Sequence, residues 1–159
     1  MKKIIYLLFT LLFSIATYSQ QNETLLREKV LKKGIVNKTF TFGKWDEKGN
    51  DELELTYLGI LKNESESYKI ITSLWIWGTS KRATSRILVY NSKNKFIGDY
   101  YLTMTYELPK YIKDNKLFFD INETNCKGKT EISFGKGIPE HLIINCNQST
   151  MLIGEFSKN

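Results

Sequence analysis

The only histidine of the chain, His141, follows Glu140 in the stretch FGKGIPEH, residues 134–141. A carboxylate beside an imidazole suggests general acid–base catalysis. Neighbouring residues on a strand point to opposite faces, so this pair would serve one substrate atom only on irregular backbone. No Gly-x-Ser-x-Gly elbow supplies a serine for them to activate. FGKGIPEH therefore reads as a loop leading into the apolar run HLIINC. Cys126 and Cys146 are the only cysteines. One histidine and two cysteines fall short of a usual zinc site, and no motif joins His141 to either thiol. The acids Asp46, Glu47, Asp51, Glu52 and Glu54 lack the spacing of a regular calcium loop. No P-loop or dinucleotide fingerprint is present. The expectation is no metal and no cofactor.

The most unusual stretch is LWIWGTSKRATSR, residues 74–86. Alternate residues of a strand share a face. Trp75 and Trp77 then point with Ile71 and Ser73, and Ile70, Thr72, Leu74 and Ile76 point the other way. Both faces are apolar, and the next segment repeats the pattern with Ile87 and Val89 against Leu88 and Tyr90. A sheet with one wet face alternates more cleanly. This predicts strands covered on both sides, with the two tryptophans packed as core and Lys81 and Arg82 in a solvated turn. The competing reading is a partly open aromatic face. Trp75, Trp77, Arg82 and Arg86 would then form a ligand-binding cluster, because aromatic rings and guanidinium groups both favour sugars and anions.

The tripeptide Gly43-Lys44-Trp45 resembles the Gly-x-Trp signature of lipocalins, which are small exported ligand-binding barrels. In lipocalins it opens the first long strand. Here it closes a strand and enters the turn DEKGND, which favours a tryptophan anchoring a hairpin.

The chain begins MKKIIYLLFTLLFSIATYSQQ. Two lysines, a short apolar run and small residues at Thr17 and Ser19 form the layout of a secretory signal peptide over residues 1–19. The run is short for a transmembrane helix. Its removal leaves residues 20–159 as one β-rich domain and lowers the net charge from +6 to +4. Lys and Glu are interspersed, so this is no concentrated basic tail, and nucleic acid is not expected as a partner. The membrane enters only through the transient signal peptide. Export, whether periplasmic or fully secreted, places Cys126 and Cys146 in an oxidising compartment, where an isolated pair is expected to be bridged. Cys126 reads as part of a turn, NCKGK.

Aromatic residues make up 13 % of the chain, and turn clusters recur at short intervals. The fold expected is mostly all-β: an antiparallel, meander-type sandwich or barrel of about 8–9 short strands. Candidate strands fall near 38–45, 52–61, 67–77, 84–91, 95–107, 116–121, 130–134, 141–146 and 151–157. One N-terminal helix is expected over residues 23–33, capped by Asn22, stopped by Gly34 and packed on the sheet.

These features predict an exported, non-catalytic β domain that binds a small ligand, a glycan or an envelope protein. The alternative is a glycan or cell-wall hydrolase using paired carboxylates. Two buried, facing acids would favour the enzyme, a closed apolar cavity a small ligand, and a flat exposed aromatic face a protein partner. Processing is directly testable. Intact-mass measurement on the exported protein should show loss of about 19–20 residues. Recovery of the full-length chain embedded in membrane would refute the signal-peptide reading.

Overall fold

The computed structural model describes residues 22–159; the expected signal peptide, 1–19, lies outside the described residues. Residues 22–33 form a helix, α1, close to the expected bounds. Arg27 pairs with Glu23 one turn earlier at 2.6 Å, and Val30 and Leu31 are its buried residues. Gly34 follows in the left-handed region, where a helix stops readily.

From Gly34 to Asn159 the chain is a separate compact unit. Its strands are β1 (Thr39–Gly43), β2 (Glu52–Lys62), β3 (Ser67–Trp77), β4 (Arg82–Asn91) and β5 (Phe96–Leu102). After a 3-10 helix at Thr105–Glu107 come β6 (Tyr111–Lys113), β7 (Lys116–Glu123), β8 (Cys126–Ser133), β9 (His141–Cys146) and β10 (Ser149–Lys158). Seven strands form one antiparallel sheet in the order β1-β2-β3-β4-β5-β10-β9, and three form a second, β6-β7-β8. The first five strands are the expected meander. The ladder does not close into a barrel, so the architecture is sandwich-like.

Three segments differ from expectation, the first being β6, a short strand that brings the total to ten. The strand expected over 95–107 stops at Leu102, because the Glu107 carboxylate takes the Met104 N–H at 2.9 Å and the chain winds into the 3-10 turn. The stretch NCKGK is not a turn. The chain reverses at Thr124 and Asn125, and Cys126 opens β8. Gly128 is there for space, since a Cβ at this position would collide with the Asn145 carbonyl oxygen of β9. The expected bridge links Cys126 to Cys146.

One core lies between the sheets. Leu61, Ile70, Ile87 and Tyr100 enter from the large sheet, and Leu117, Phe119 and Ile121 from the small one. Tyr100 donates its hydroxyl to the Pro139 carbonyl at 2.5 Å; burial pushes the phenol pKa up and keeps this donor protonated. A bulge at Tyr57/Gly59 switches the faces of β2. Leu58 and Leu61 therefore face the core, while Leu53 and Leu55 pair with Trp75 and Ser73 on the outward face.

The sheet margins meet through side chains. The Asn115 carboxamide accepts from the Lys62 N–H and donates to the Lys62 C=O, both at 2.7 Å. At the other margin the Asn147 carboxamide oxygen accepts the Lys127 N–H at 3.0 Å, and the Asn147 N–H donates to the Lys127 C=O at 3.0 Å. The disulfide lies beside that contact.

Asn115 also sits at φ 60° in the β6–β7 turn, so two variants separate its roles. Asn115→Gly keeps the backbone comfortable and removes only the stitch, which should cost about 1 kcal/mol. Asn115→Ala should cost about 1 kcal/mol more, through the left-handed conformation. Denaturant unfolding checks both; equal stability of wild type and Asn115→Gly would show that the stitch contributes nothing.

Candidate functional site

The β3–β4 hairpin closes through a bond from the Lys81 N–H to the Gly78 carbonyl at 3.1 Å. Trp45 braces this tip by donating its indole N–H to the same carbonyl at 2.8 Å. The Lys81 ammonium lies 5.0 Å from the Trp45 ring centroid. Gly43-Lys44-Trp45 thus ends β1 and anchors a hairpin, as its place before a turn suggests.

Strand register then assembles the rest. Trp77 lies opposite Arg82, Trp75 opposite Thr84, and Ser73 opposite Arg86. Arg86 in turn lies opposite Tyr101 of β5. Directly opposed residues share a face, so Trp75, Trp77, Arg82, Arg86 and Tyr101 all point outward from the large sheet. The two indoles stack at 5.7 Å between centroids. Arg82 lies 5.4 Å over Trp77, and Arg86 5.8 Å over Tyr101. Such contacts hold a guanidinium in place while leaving its edges free to donate. Arg86 is further fixed by donating to Asp99 at 3.0 Å.

The packed-core expectation for the tryptophans is corrected here. The outward face is buried at Leu55, Ile71 and Leu88, but Trp75 is 40 % exposed and Trp77 is half-buried. The reason lies at the hairpin end. Trp75 donates its N–H to Asp51 at 3.2 Å and Trp77 to Thr84 at 3.1 Å. These polar partners sit at the rim, and an indole with its N–H bonded there keeps part of its ring in water. Lys81 and Arg82 are exposed, as a solvated turn implies, yet both lie over tryptophan rings.

Sequence reasoning brought together Trp75, Trp77, Arg82 and Arg86, and the structure places all four on one face. It missed Tyr101, which is 56 % exposed. It also missed Leu152 and Ile143, 51 % and 50 % exposed, which pair across β10 and β9 on the outward side. Only the register of distant strands joins these residues to the tryptophans.

The other chemistry-bearing residues are engaged structurally. His141 Nδ1 lies 3.9 Å from Glu155, and the Glu140 carbonyl accepts the Phe156 N–H. Asp46 accepts from the Lys48 and Asn50 backbone and, at 2.6 Å, from the Asn50 side chain. These bonds hold its carboxyl below the ordinary range, with the Asn50 side chain the main cause. Among the described residues no group of three or more His, Cys, Asp or Glu is placed to hold a metal.

Two open clefts lie elsewhere. One, of about 750 Å³, is lined by Lys110, Asp120, Asn122, Lys127 and Lys129 on the small sheet. The other, of about 550 Å³, lies at the β2–β3 and β4–β5 turns and includes Glu64, Glu66 and Tyr68. Burial, with a bond to Glu66, pushes the Tyr68 hydroxyl up to about 12. Asp99 and Glu107, the buried carboxylates among the described residues, line neither cleft.

A partly exposed ring contributes less to stability than a buried one. Trp75→Ala should cost about 1 kcal/mol by denaturant unfolding, against about 3–5 for a fully buried aromatic. Loss of Trp75 should also remove the most readily quenched share of the fluorescence from the three tryptophans. A cost above about 3 kcal/mol, with quenching unchanged, would return the ring to the core. No family model matches this chain, and no curated protein or solved structure is significantly similar to it, so the face stands on its own geometry.

Proposed function

We propose that this is an exported, non-catalytic β domain that docks another envelope protein through the outward face of its large sheet. The observation that carries the reading is the row Trp75, Arg86 and Tyr101, with both rings exposed and Arg86 half-buried, on a sheet face outside either cleft. Trp, Tyr and Arg are the residues enriched where protein interfaces concentrate their binding energy. The outward-facing apolar residues continue through β10 and β9 to Leu152 and Ile143, so the face crosses five neighbouring strands. At the usual inter-strand spacing that is about 20 Å, wide for a single sugar ring and ordinary for a protein partner. Arg82, Arg86 and Lys81 at one end favour a partner with an acidic rim around an apolar centre. Export is supported by the expected leader and by the disulfide. Among the described residues no helix is long and apolar enough to cross a membrane.

The test is site-specific photo-crosslinking in the producing cell. A photoreactive residue at Tyr101 should give one discrete adduct with an acidic envelope protein, and Trp75→Ala should abolish it. The same residue at Lys113, on the small sheet, should give none. An adduct with a second copy of the chain, a glycan adduct, or equal labelling from both positions would overturn the proposal.

A further inference from the structure

The small sheet carries a second, chemically different feature on its own outward side. Leu117, Phe119 and Ile121 face the core, so the alternate residues Phe118, Asp120 and Asn122 face out. Register sets Asp120 opposite Lys129 and Asn122 opposite Lys127. The sequence Lys127-Gly128-Lys129 thus presents two lysine side chains on one face, their Cα atoms about 6–7 Å apart along the strand. Lys110 joins them at the cleft of about 750 Å³. Lys129 is held by Asp120 at 3.5 Å. Lys110 and Lys127 make no ion pair among the described residues, so their charge is uncompensated.

The backbone under these lysines is pinned from both sides. The β7 ladder holds one edge of β8. On the other, both backbone groups of Lys127 bond to Asn147, Gly128 lies tight against Asn145, and Cys126 is bridged to Cys146. A fixed strand carrying Lys127 over the cleft spares the backbone part of the ordering cost of binding.

We infer that this cleft binds a phosphate group carried on a hydroxyl-bearing moiety. Lysine serves phosphate as a point charge without demanding planar geometry. Lys110 and Lys127 take the phosphate oxygens. Asn122 and the already paired Asp120 offer an amide and an acceptor to neighbouring hydroxyls. The cleft is larger than a bare phosphate requires. Two sources share this chemistry: a soluble polyol or sugar phosphate, and the polyol-phosphate headgroup of a lipid.

The experiment is a heteronuclear NMR titration of the folded protein with glycerol phosphate at low salt. Amide shifts should concentrate at Asn122 and Lys127 to Lys129. Lys110→Gln and Lys127→Gln should each weaken binding about tenfold, as expected for losing one charged hydrogen bond, with the thermal midpoint unchanged. Co-sedimentation with phosphatidylglycerol vesicles, against phosphatidylcholine vesicles, separates the sources. Vesicle binding that Lys127→Gln abolishes assigns the headgroup, and glycerol phosphate binding without vesicle binding assigns a soluble ligand. Absent shifts, shifts spread evenly over remote lysines such as Lys93 and Lys113, or unchanged affinity in both variants would overturn the inference.

Discussion

Two asparagine side chains let two separate sheets enclose one core. A carboxamide carries the same donor and acceptor as a peptide group. Asn115 can therefore occupy the place of a strand neighbour beside Lys62, whereas Asn147 pairs with Lys127 through its carboxamide oxygen and its own backbone N–H. Without such partners, Lys62 and Lys127 would present unpaired backbone groups where the sheets come together. A continuous ladder would have closed a barrel and set its curvature. Stitches at the margins instead leave each sheet its own twist while holding the sheets close enough to bury Tyr100, Phe119 and Leu117 between them. The disulfide reinforces the margin that Asn147 closes, joining strand ends twenty residues apart in sequence.

That construction determines what is left for the outer surfaces. The core takes one side of each sheet, so the outward sides are free to differ. The bulge in β2 matters here. By switching the faces of the strand at Tyr57/Gly59, it supplies Leu58 and Leu61 to the core and Leu53 and Leu55 to the outside. The large sheet thereby gains an apolar outward face. Its centre is buried, and its hairpin end is finished with indoles whose N–H groups are satisfied at the rim by Asp51 and Thr84. The arginines of that end lie over rings, which helps to order them without neutralising Arg82. The small sheet is instead polar outside. Its lysines are only partly paired, and on that outward side the aromatic rings are the stacked Tyr111 and Phe118.

The two surfaces call for different recognition physics. A flat aromatic face with anchored guanidinium groups gains from burying area and excluding water, and tolerates salt. A cleft with exposed lysines depends on charge, and its affinity falls as ionic strength rises. Neither surface uses the residues that invite a catalytic reading in one dimension. Glu140 contributes its backbone to β10, and His141 faces outward beside Glu155. Among the acids near the β1–β2 turn, Asp46 organises the turn and Asp51 accepts the Trp75 N–H.

Most elements were legible in the amino-acid sequence. Alternating apolar residues and turn clusters marked most strands, the run around residues 23–33 marked the helix, and an isolated pair of cysteines behind an expected leader implied their bridge. These signals are local or compositional, which is why they can be read from the chain alone. Register was not readable, because it depends on where turns and bulges fall to the residue. Arg86 meets Tyr101 only because of the β4–β5 pairing, and a bulge after Leu152 sets Gly154, not Ile153, opposite Leu142. The end of β5 and the start of β8 were misplaced for a related reason. Glu107 reaching back to Met104 and Gly128 fitting against Asn145 are contacts that no propensity encodes. The two-sided apolar pattern of β3 correctly foretold an apolar outward face. How far along the strand burial extends, and so that Trp75 keeps part of its ring in water, follows from the packing of the folded chain.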